Sequence, residues 1–338
     1  MVIEIEVYTI GFMAEAIERT DFDFPGQVGP VYRGKVGDVY TIDHPTGELL
    51  VVVRTDRISA FDVVLPATIP YKGQVLNQLS GEFLEASSDV APNWLVDTPD
   101  PNVSVGLRAE PFQVEMIMRG FLLGSSWAAY DTDGVRNISG NRLRDGMAEF
   151  QAFKSPLLTP TTKAHVGHDE NITPKEIVSE GLATKKEFDE MARLAIALFA
   201  AGQSLAREKG LVLADTKYEF GKLATGQIIV IDEVHTPDSS RYFHAEEFDR
   251  YLNGETKDRP EQISKEFVRE WLKEQGFSGK EGQVPPPMGS DIVNKISARY
   301  IDLYERMSGY KFRKPESANN PIQRILDNVL QSLWEIGR

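Results

Sequence analysis

Leu213-Ala-Asp-Thr-Lys-Tyr-Glu-Phe-Gly221 decides the reading of this 338-residue chain. It follows Gly210, which closes an apolar-striped helical segment, and it reads as a strand beginning at Leu211. A turn at Lys222 to Gly226 sends the chain back over Ile228 to Asp232. Alternate side chains of a strand face the same way, so Asp215, Lys217 and Glu219 share one face. Unpaired charge is costly to bury, so that face lines a wet cleft. With the hairpin symmetric about Ala224, Asp232 lies near Asp215 and joins the face. Several acids beside one lysine suit Mg²⁺ and phosphate oxygens, because Mg²⁺ takes one or two protein carboxylates and fills its shell with water and substrate phosphates. A solvent-exposed, salt-bridged hairpin face fits the same spacing.

Upstream, Thr184-Lys-Lys-Glu187 is a capping box. The helix it opens carries Phe188, Met191, Ala195, Leu198 and Phe199 on one stripe. Nearer the start, Gly26, Gly29, Gly34 and Gly37 punctuate a strand-like stretch from Val31 to Ile42. A turn at His44 to Glu48 and a buried strand, Leu49 to Val53, complete a glycine-rich hairpin. Within it, Gly34-Lys-Val-Gly37 lets backbone N–H groups approach phosphates, and Lys35 adds positive charge. An ordinary turn-rich hairpin reads the same way. Residues 72–85 have helical spacing, and Phe112 to Met118 is a strand. Arg119, Gly124 and Ser125 then form either a phosphate pocket at a helix start or a simple helix cap.

Residues 134–172 read as long loops. Their His165 and His168, beside Asp169 and Glu170, match no common zinc spacing and suit a polar substrate loop better. Three helices close the chain, over 264–275, 291–308 and from Pro321 behind an Asn320 cap. Strands first, a mixed middle and helices last predict an α+β fold with two lobes.

Composition narrows the classes further. The length predicts about two domains. With no cysteine, disulfides, thiolate metal sites and a cysteine nucleophile are excluded. A net charge of −14 repels nucleic acid and anionic membranes. The longest apolar run near a helix, 194–202, is too short to span a bilayer, and the first residues carry glutamates where a signal peptide carries lysines. The expectation is a soluble cytoplasmic protein with no nucleic-acid or membrane partner. No GxSxG, HExxH, GxGxxG or HRD element is present, against hydrolase, zincin, Rossmann and protein-kinase chemistry.

Seven stretches together resemble the phosphoribosylaminoimidazole-succinocarboxamide synthase (SAICAR synthetase) family. They are RGKVGDVY (33–40), RTDRISAFDVVLP (54–66), IPYKGQVLNQLS (69–80), VEMIMRGFLLGSSW (114–127), SPLLTPTTKAHVGHDENI (155–172), LADTKYEFG (213–221) and IDEVHTPDSSRYF (231–243). The resemblance runs in family order over roughly residues 31–310. It implies a ligase of de novo purine biosynthesis. With ATP and Mg²⁺, L-aspartate is joined to carboxyaminoimidazole ribonucleotide through an acyl phosphate, giving SAICAR, ADP and phosphate. The alternatives are an ATP-dependent small-molecule kinase on a similar scaffold and a non-catalytic nucleotide-binding protein.

The resemblance also implies roles. Lys217, Asp215 and Arg241 are catalytic. Arg119, Ser125, Asp169 and Asn171 join them in binding substrate. Gly34, Lys35, Val36, Glu115, Glu219 and Asp232 bind ATP, with Glu219 and Asp232 holding the metal. Asp56, Arg57, Ser59, Glu170 and Asp238 match motif positions without a firm role. Gly37 departs from the family, which usually has a basic residue there, so one cation near the triphosphate is missing or comes from elsewhere. The implied organisation is an N-terminal extension (1–30), a β-rich nucleotide lobe (31–113), an α/β catalytic lobe (114–258) and a helical segment (259–338) packed on the catalytic lobe. A monomer is expected.

Overall fold

In this computed structural model the described residues are 16–163, 169–315 and 320–338. His165 and His168 lie outside them. The strands in chain order are β1 (Tyr32–Arg33), β2 (Gly37–His44), β3 (Gly47–Arg54), β4 (Arg57–Ala60), β5 (Val63–Thr68), β6 (Leu95–Asp100), β7 (Val103–Leu107) and β8 (Glu110–Phe121). They continue with β9 (Asn137–Ile138), β10 (Asn141–Arg142), β11 (Ala152–Leu158), β12 (Thr161–Thr162), β13 (Leu211–Lys222), β14 (Ile228–Ile231) and β15 (Ser240–His244). The helices are α1 (Lys72–Ala86), α2 (Gly124–Asp131), α3 (Pro174–Ser179), α4 (Lys185–Glu208), α5 (Ala245–Leu252), α6 (Glu266–Glu274), α7 (Ser290–Ser308) and α8 (Pro321–Ile336).

Two antiparallel sheets carry the fold. The first runs β1-β2-β3-β7-β6. The tight hairpin read at His44 to Glu48 sets its register, with His44 opposite Gly47 and Gly37 opposite Arg54. Period-two alternation then turns Tyr40, Ile42, Leu49, Val51 and Val53 to one face, where Val103 and Val105 join them. The second sheet runs β11-β8-β13-β14, with β12 beside β8 and β15 beside β13. The apolar stripe of α4, from Phe188 through Met191, Leu194 and Leu198, packs beneath it against Met116, Met118, Tyr218 and Phe220. The capping box at Thr184 and Glu187 is formed as read.

The C-terminal helices depart from expectation. The segment 259–338 was expected to pack on the second lobe, but α8 covers the first sheet. Its Ile325, Val329 and Leu333 close the core made by Ile42, Leu49 and Val51. Arg324 clamps Asp100 at the end of β6, with nitrogens 2.8 and 3.0 Å from the two carboxylate oxygens. The stripe on α8 demanded an apolar partner, and this sheet face supplied it. Helix α7 lies against α1, whose Val75, Leu76 and Leu79 join the core under the second sheet. Short strands β9 to β12 also occupy the 134–172 stretch expected to be loop. β11 is a mostly solvent-facing strand with an irregular register against β8, so no apolar alternation announced it.

Candidate active site

Strands β8 and β13 set the geometry of the site. Their pairing places Asp215 opposite Arg119, Lys217 opposite Ile117 and Glu219 opposite Glu115. Two carboxylates directly across an antiparallel pair repel each other. The Lys217 ammonium resolves the conflict, lying 2.8 Å from Glu115 Oε1 and 2.5 Å from Glu219 Oε1. Lys163 pairs with the other oxygen of Glu219. Burial opposes the charge on Lys217, yet Glu219, Glu115 and Asp232 hold it well above the usual lysine range. Burial likewise pushes both carboxyls up. For Glu115 burial prevails over Lys217 and its pKa is raised. For Glu219 the two lysines prevail and its pKa is lowered.

Two residues back along β13, Asp215 gathers arginines. Arg241, opposite it on β15, donates from Nε to Oδ1 at 2.8 Å and from its terminal nitrogen to Oδ2. Arg119 reaches Oδ2 at 3.3 Å and donates from Nε to Thr159 Oγ1 at 2.9 Å. The Arg241 guanidinium lies over the start of α2, where a Cβ on Gly124 would fall 1.8 Å from its nitrogen. Gly124 also has φ +59, so glycine is required there twice over. Ser125 follows, exposed, in the first turn of α2. Two guanidiniums on one carboxylate leave net positive charge facing outward, the arrangement an anion needs.

Part of this set surrounds one cavity of about 370 Å³, whose lining does not include Glu219, Asp232, Gly34 or Val36. Lys35, Glu115, Arg119, Ser125, Asp169, Asp215, Lys217 and Arg241 line it, so most of the residues singled out from sequence meet there. So do Ser59, Asp238, Lys265 and Arg269. A larger opening of about 1760 Å³ lies by the β13–β14 turn, but most of its charges are committed to one another. Lys222 pairs with Glu187, Arg193 with Glu190 and Arg108 with Glu48.

Two expectations need correction. Asp232 does not pair with Asp215, because the β13–β14 hairpin has Glu219 opposite Ile231, a register three residues away from the one expected. Asp232 therefore sits one residue beyond the partner of Glu219. Arg54 from β3 holds it at 2.5 Å, and Trp94 Nε1 donates to its carbonyl at 2.9 Å. Burial pushes the Asp232 carboxyl up, but Arg54 and Lys217 hold it below its usual range. Asn171 is exposed, bridges to Thr161 and lies outside the cavity lining. Asp56, a motif position without an assigned role, is structural. It accepts the N–H groups of Ile17 and of Gly73, each at 3.0 Å, and so caps α1.

The glycine loop closes through Gly34 N–H to Gly37 O at 2.9 Å, and Val36 O accepts from Thr55 N at 3.0 Å. Lys35 is exposed and pairs with Asp62. The Arg57 guanidinium bonds Gly34 O at 2.9 Å, Gly37 O at 3.1 Å and Asp38 Oδ1 at 2.9 Å. Arg57 thus braces this loop from within. Sequence reading missed Lys163, Arg54, Lys265 and Arg269. The last two stand four apart at the start of α6, a helical-face signal that was available.

Comparison with known proteins adds four findings. A family model described as SAICAR synthetase matches residues 30–285. A phosphoribosylaminoimidazole-succinocarboxamide synthase of Bacteroides fragilis is 55% identical over 321 residues, covering 94% of this chain and 99% of the relative. One from Cytophaga hutchinsonii is 49% identical over 319 residues, covering 94% of this chain and 99% of that one. Among solved structures, a SAICAR synthase from Saccharomyces cerevisiae complexed with SAICAR superposes with a TM-score of 0.71 at 31% identity, covering 88% of this chain and all of that one.

Proposed function

Because the chain belongs to the SAICAR synthetase family, we propose that the charged face of β8 and β13 is where it performs that family's reaction. The protein is an ATP-dependent ligase of de novo purine biosynthesis, joining L-aspartate to carboxyaminoimidazole ribonucleotide to give SAICAR, ADP and phosphate. A kinase reading is not favoured, since the relatives are named as phosphoribosylaminoimidazole-succinocarboxamide synthases.

The chemistry asks for little covalent help from the protein. A carboxylate is a poor acyl donor, because its leaving group would be an oxide. ATP therefore transfers its γ-phosphoryl group to the imidazole carboxylate, releasing ADP. The aspartate amine attacks the acyl phosphate, the C–O bond to phosphate breaks, and the amine gives up a proton. Both steps move negative charge, and positioned cations stabilise it. Lys217 supplies one such cation between Glu115 and Glu219. Arg119 and Arg241, aligned by Asp215, bind an anionic part of the ribonucleotide with Ser125. Lys35 and the N–H group of Val36 serve the phosphates of ATP, while the Gly34 N–H is kept within the loop by Gly37 O.

Glu219 and Asp232 are the donors for Mg²⁺. Both carboxyls are held ionised, and they follow adjacent places in the register. Among the described residues no group of three or more protein ligands gathers that would cage a metal. A pair of carboxylates fits an ion that takes its remaining ligands from water and phosphate. Bound there, the ion would neutralise phosphate charge. No helix among the described residues is long and apolar enough to cross a membrane; soluble anionic substrates support a cytoplasmic setting.

The Lys217 bridge, two residues from the Asp215 arginine pair on one strand, carries this reading. The test is ADP release from ATP, Mg²⁺ and carboxyaminoimidazole ribonucleotide, with and without L-aspartate. The expected result is release that depends strictly on aspartate, with SAICAR as product. Release indifferent to aspartate would contradict it.

A further inference from the structure

Helix α7 begins beyond the stretch matched by the family model, which ends at residue 285. Three contacts nevertheless tie it to the ground beneath the active-site cavity. Ser297 Oγ donates to Pro70 O at 2.7 Å, beside Lys72. Arg299 donates to Gln262 O at 2.8 Å, on the segment leading into Lys265. Tyr300, 2% exposed, donates its hydroxyl proton to Asp238 Oδ1 at 2.5 Å.

Asp238 is the hinge of this arrangement. Its side chain is 4% exposed, and its other oxygen, Oδ2, lies 3.0 Å from Lys72 Nζ and 3.0 Å from Lys265 Nζ. Lys72 is fully buried, with its ammonium 5.7 Å from the centre of the Tyr300 ring. Lys265 alone of the two cations lines the cavity, where Ser59 Oγ stands 3.5 Å from it. A carboxylate with a donor on one oxygen only is free to turn about its last torsion. The Tyr300 hydroxyl fills the second oxygen and fixes the plane of the group. The direction in which Oδ2 presents itself to Lys265 is then set by a residue on α7.

We propose that Tyr300 is a positioning residue of the ligation, acting through Asp238 to hold the Lys265 ammonium at the cavity wall, where an anionic group of a substrate docks. The inference rests on the proposed siting of the reaction in this cavity. It gives α7 a function beyond covering α1, although it lies 62 residues from Asp238 in sequence.

Tyr300→Phe keeps the ring over Lys72 and removes only the hydroxyl. A charge-assisted hydrogen bond of this kind leads us to expect the KM of the ribonucleotide or of L-aspartate to rise about tenfold, with the KM of ATP within about twofold. In a Lys265→Met background the same substitution should change neither KM by more than about twofold, because its route is gone. Calorimetric binding of the ribonucleotide and of L-aspartate to the same four proteins reads the effect without turnover. An inactive wild type would therefore overturn the siting of the reaction while leaving this comparison legible. Unchanged affinities in Tyr300→Phe, an equal loss for ATP, or an undiminished effect in the Lys265→Met background would each overturn the proposal.

Discussion

The two large sheets bury opposite kinds of side chain. On the first, β2, β3 and β7 turn Tyr40, Ile42, Leu49, Val51, Val53, Val103 and Val105 inward, and α8 covers them. On the second, the paired strands β8 and β13 bury Glu115, Arg119, Asp215 and Glu219, each under 10% exposed. Apolar burial stabilises the first by roughly 1.5–3 kcal/mol per large side chain. Buried ions gain little over apolar replacements of similar volume, since desolvation offsets most of their attraction. The second face is therefore poor engineering for stability and good engineering for binding anions. Its opposite side, where Tyr218 and Phe220 meet α4, is as apolar as the first sheet. One strand thus separates the two tasks by alternation alone.

That contrast breaks most sharply at Lys217. In Lys217→Met the carboxylates of Glu115 and Glu219 face each other without their shared cation. Turnover should fall about 1,000-fold, from loss of a positioned charge. The variant should also be destabilised by about 3–5 kcal/mol, because removing one partner strands buried charge. Unfolding in urea and ADP release on one preparation check both. Leu49→Ala tests the other sheet. It should cost about 2–5 kcal/mol in the same unfolding experiment and leave kcat unchanged below the transition. A loss of kcat without a loss of stability would dissolve the distinction.

The smallest expected effect lies behind the catalytic face. His235 is buried against Tyr218, whose hydroxyl is 2.5 Å from Nε2. Burial pushes the imidazole pKa down to about 3, from an ordinary 6.5. Between those values the unfolded chain binds a proton that the folded one refuses, so stability is lost as pH falls below about 6.5. His235→Gln should flatten that part of the stability–pH curve, read from urea midpoints between pH 4 and 7. An unchanged curve would mean that other groups set the acid limb.

Much of this was legible in sequence because local signals carried it. Alternation from Leu211 to Glu219 gave β13 and the shared face of Asp215, Lys217 and Glu219. Thr184 and Glu187 announced α4, and His44 to Glu48 fixed the first hairpin. What was misread depended on partners distant in the chain. The register that separates Asp232 from Asp215 is set by the width of the turn after Lys222. The apolar stripe of α8 shows that a face is buried, not which sheet covers it. The Arg54–Asp232 pair spans 178 residues, and no local pattern encodes it.

The most direct test of the account is Glu219→Gln, assayed for aspartate-dependent ADP release and for its unfolding midpoint together. Neutralising Glu219 removes a metal donor and leaves Lys163 and Lys217 each short of a carboxylate partner. ADP release should fall about 100-fold or more, with the midpoint unchanged or lowered. Full activity in that variant would contradict the assignment of Glu219 to the metal and the reading of this face as the catalytic one.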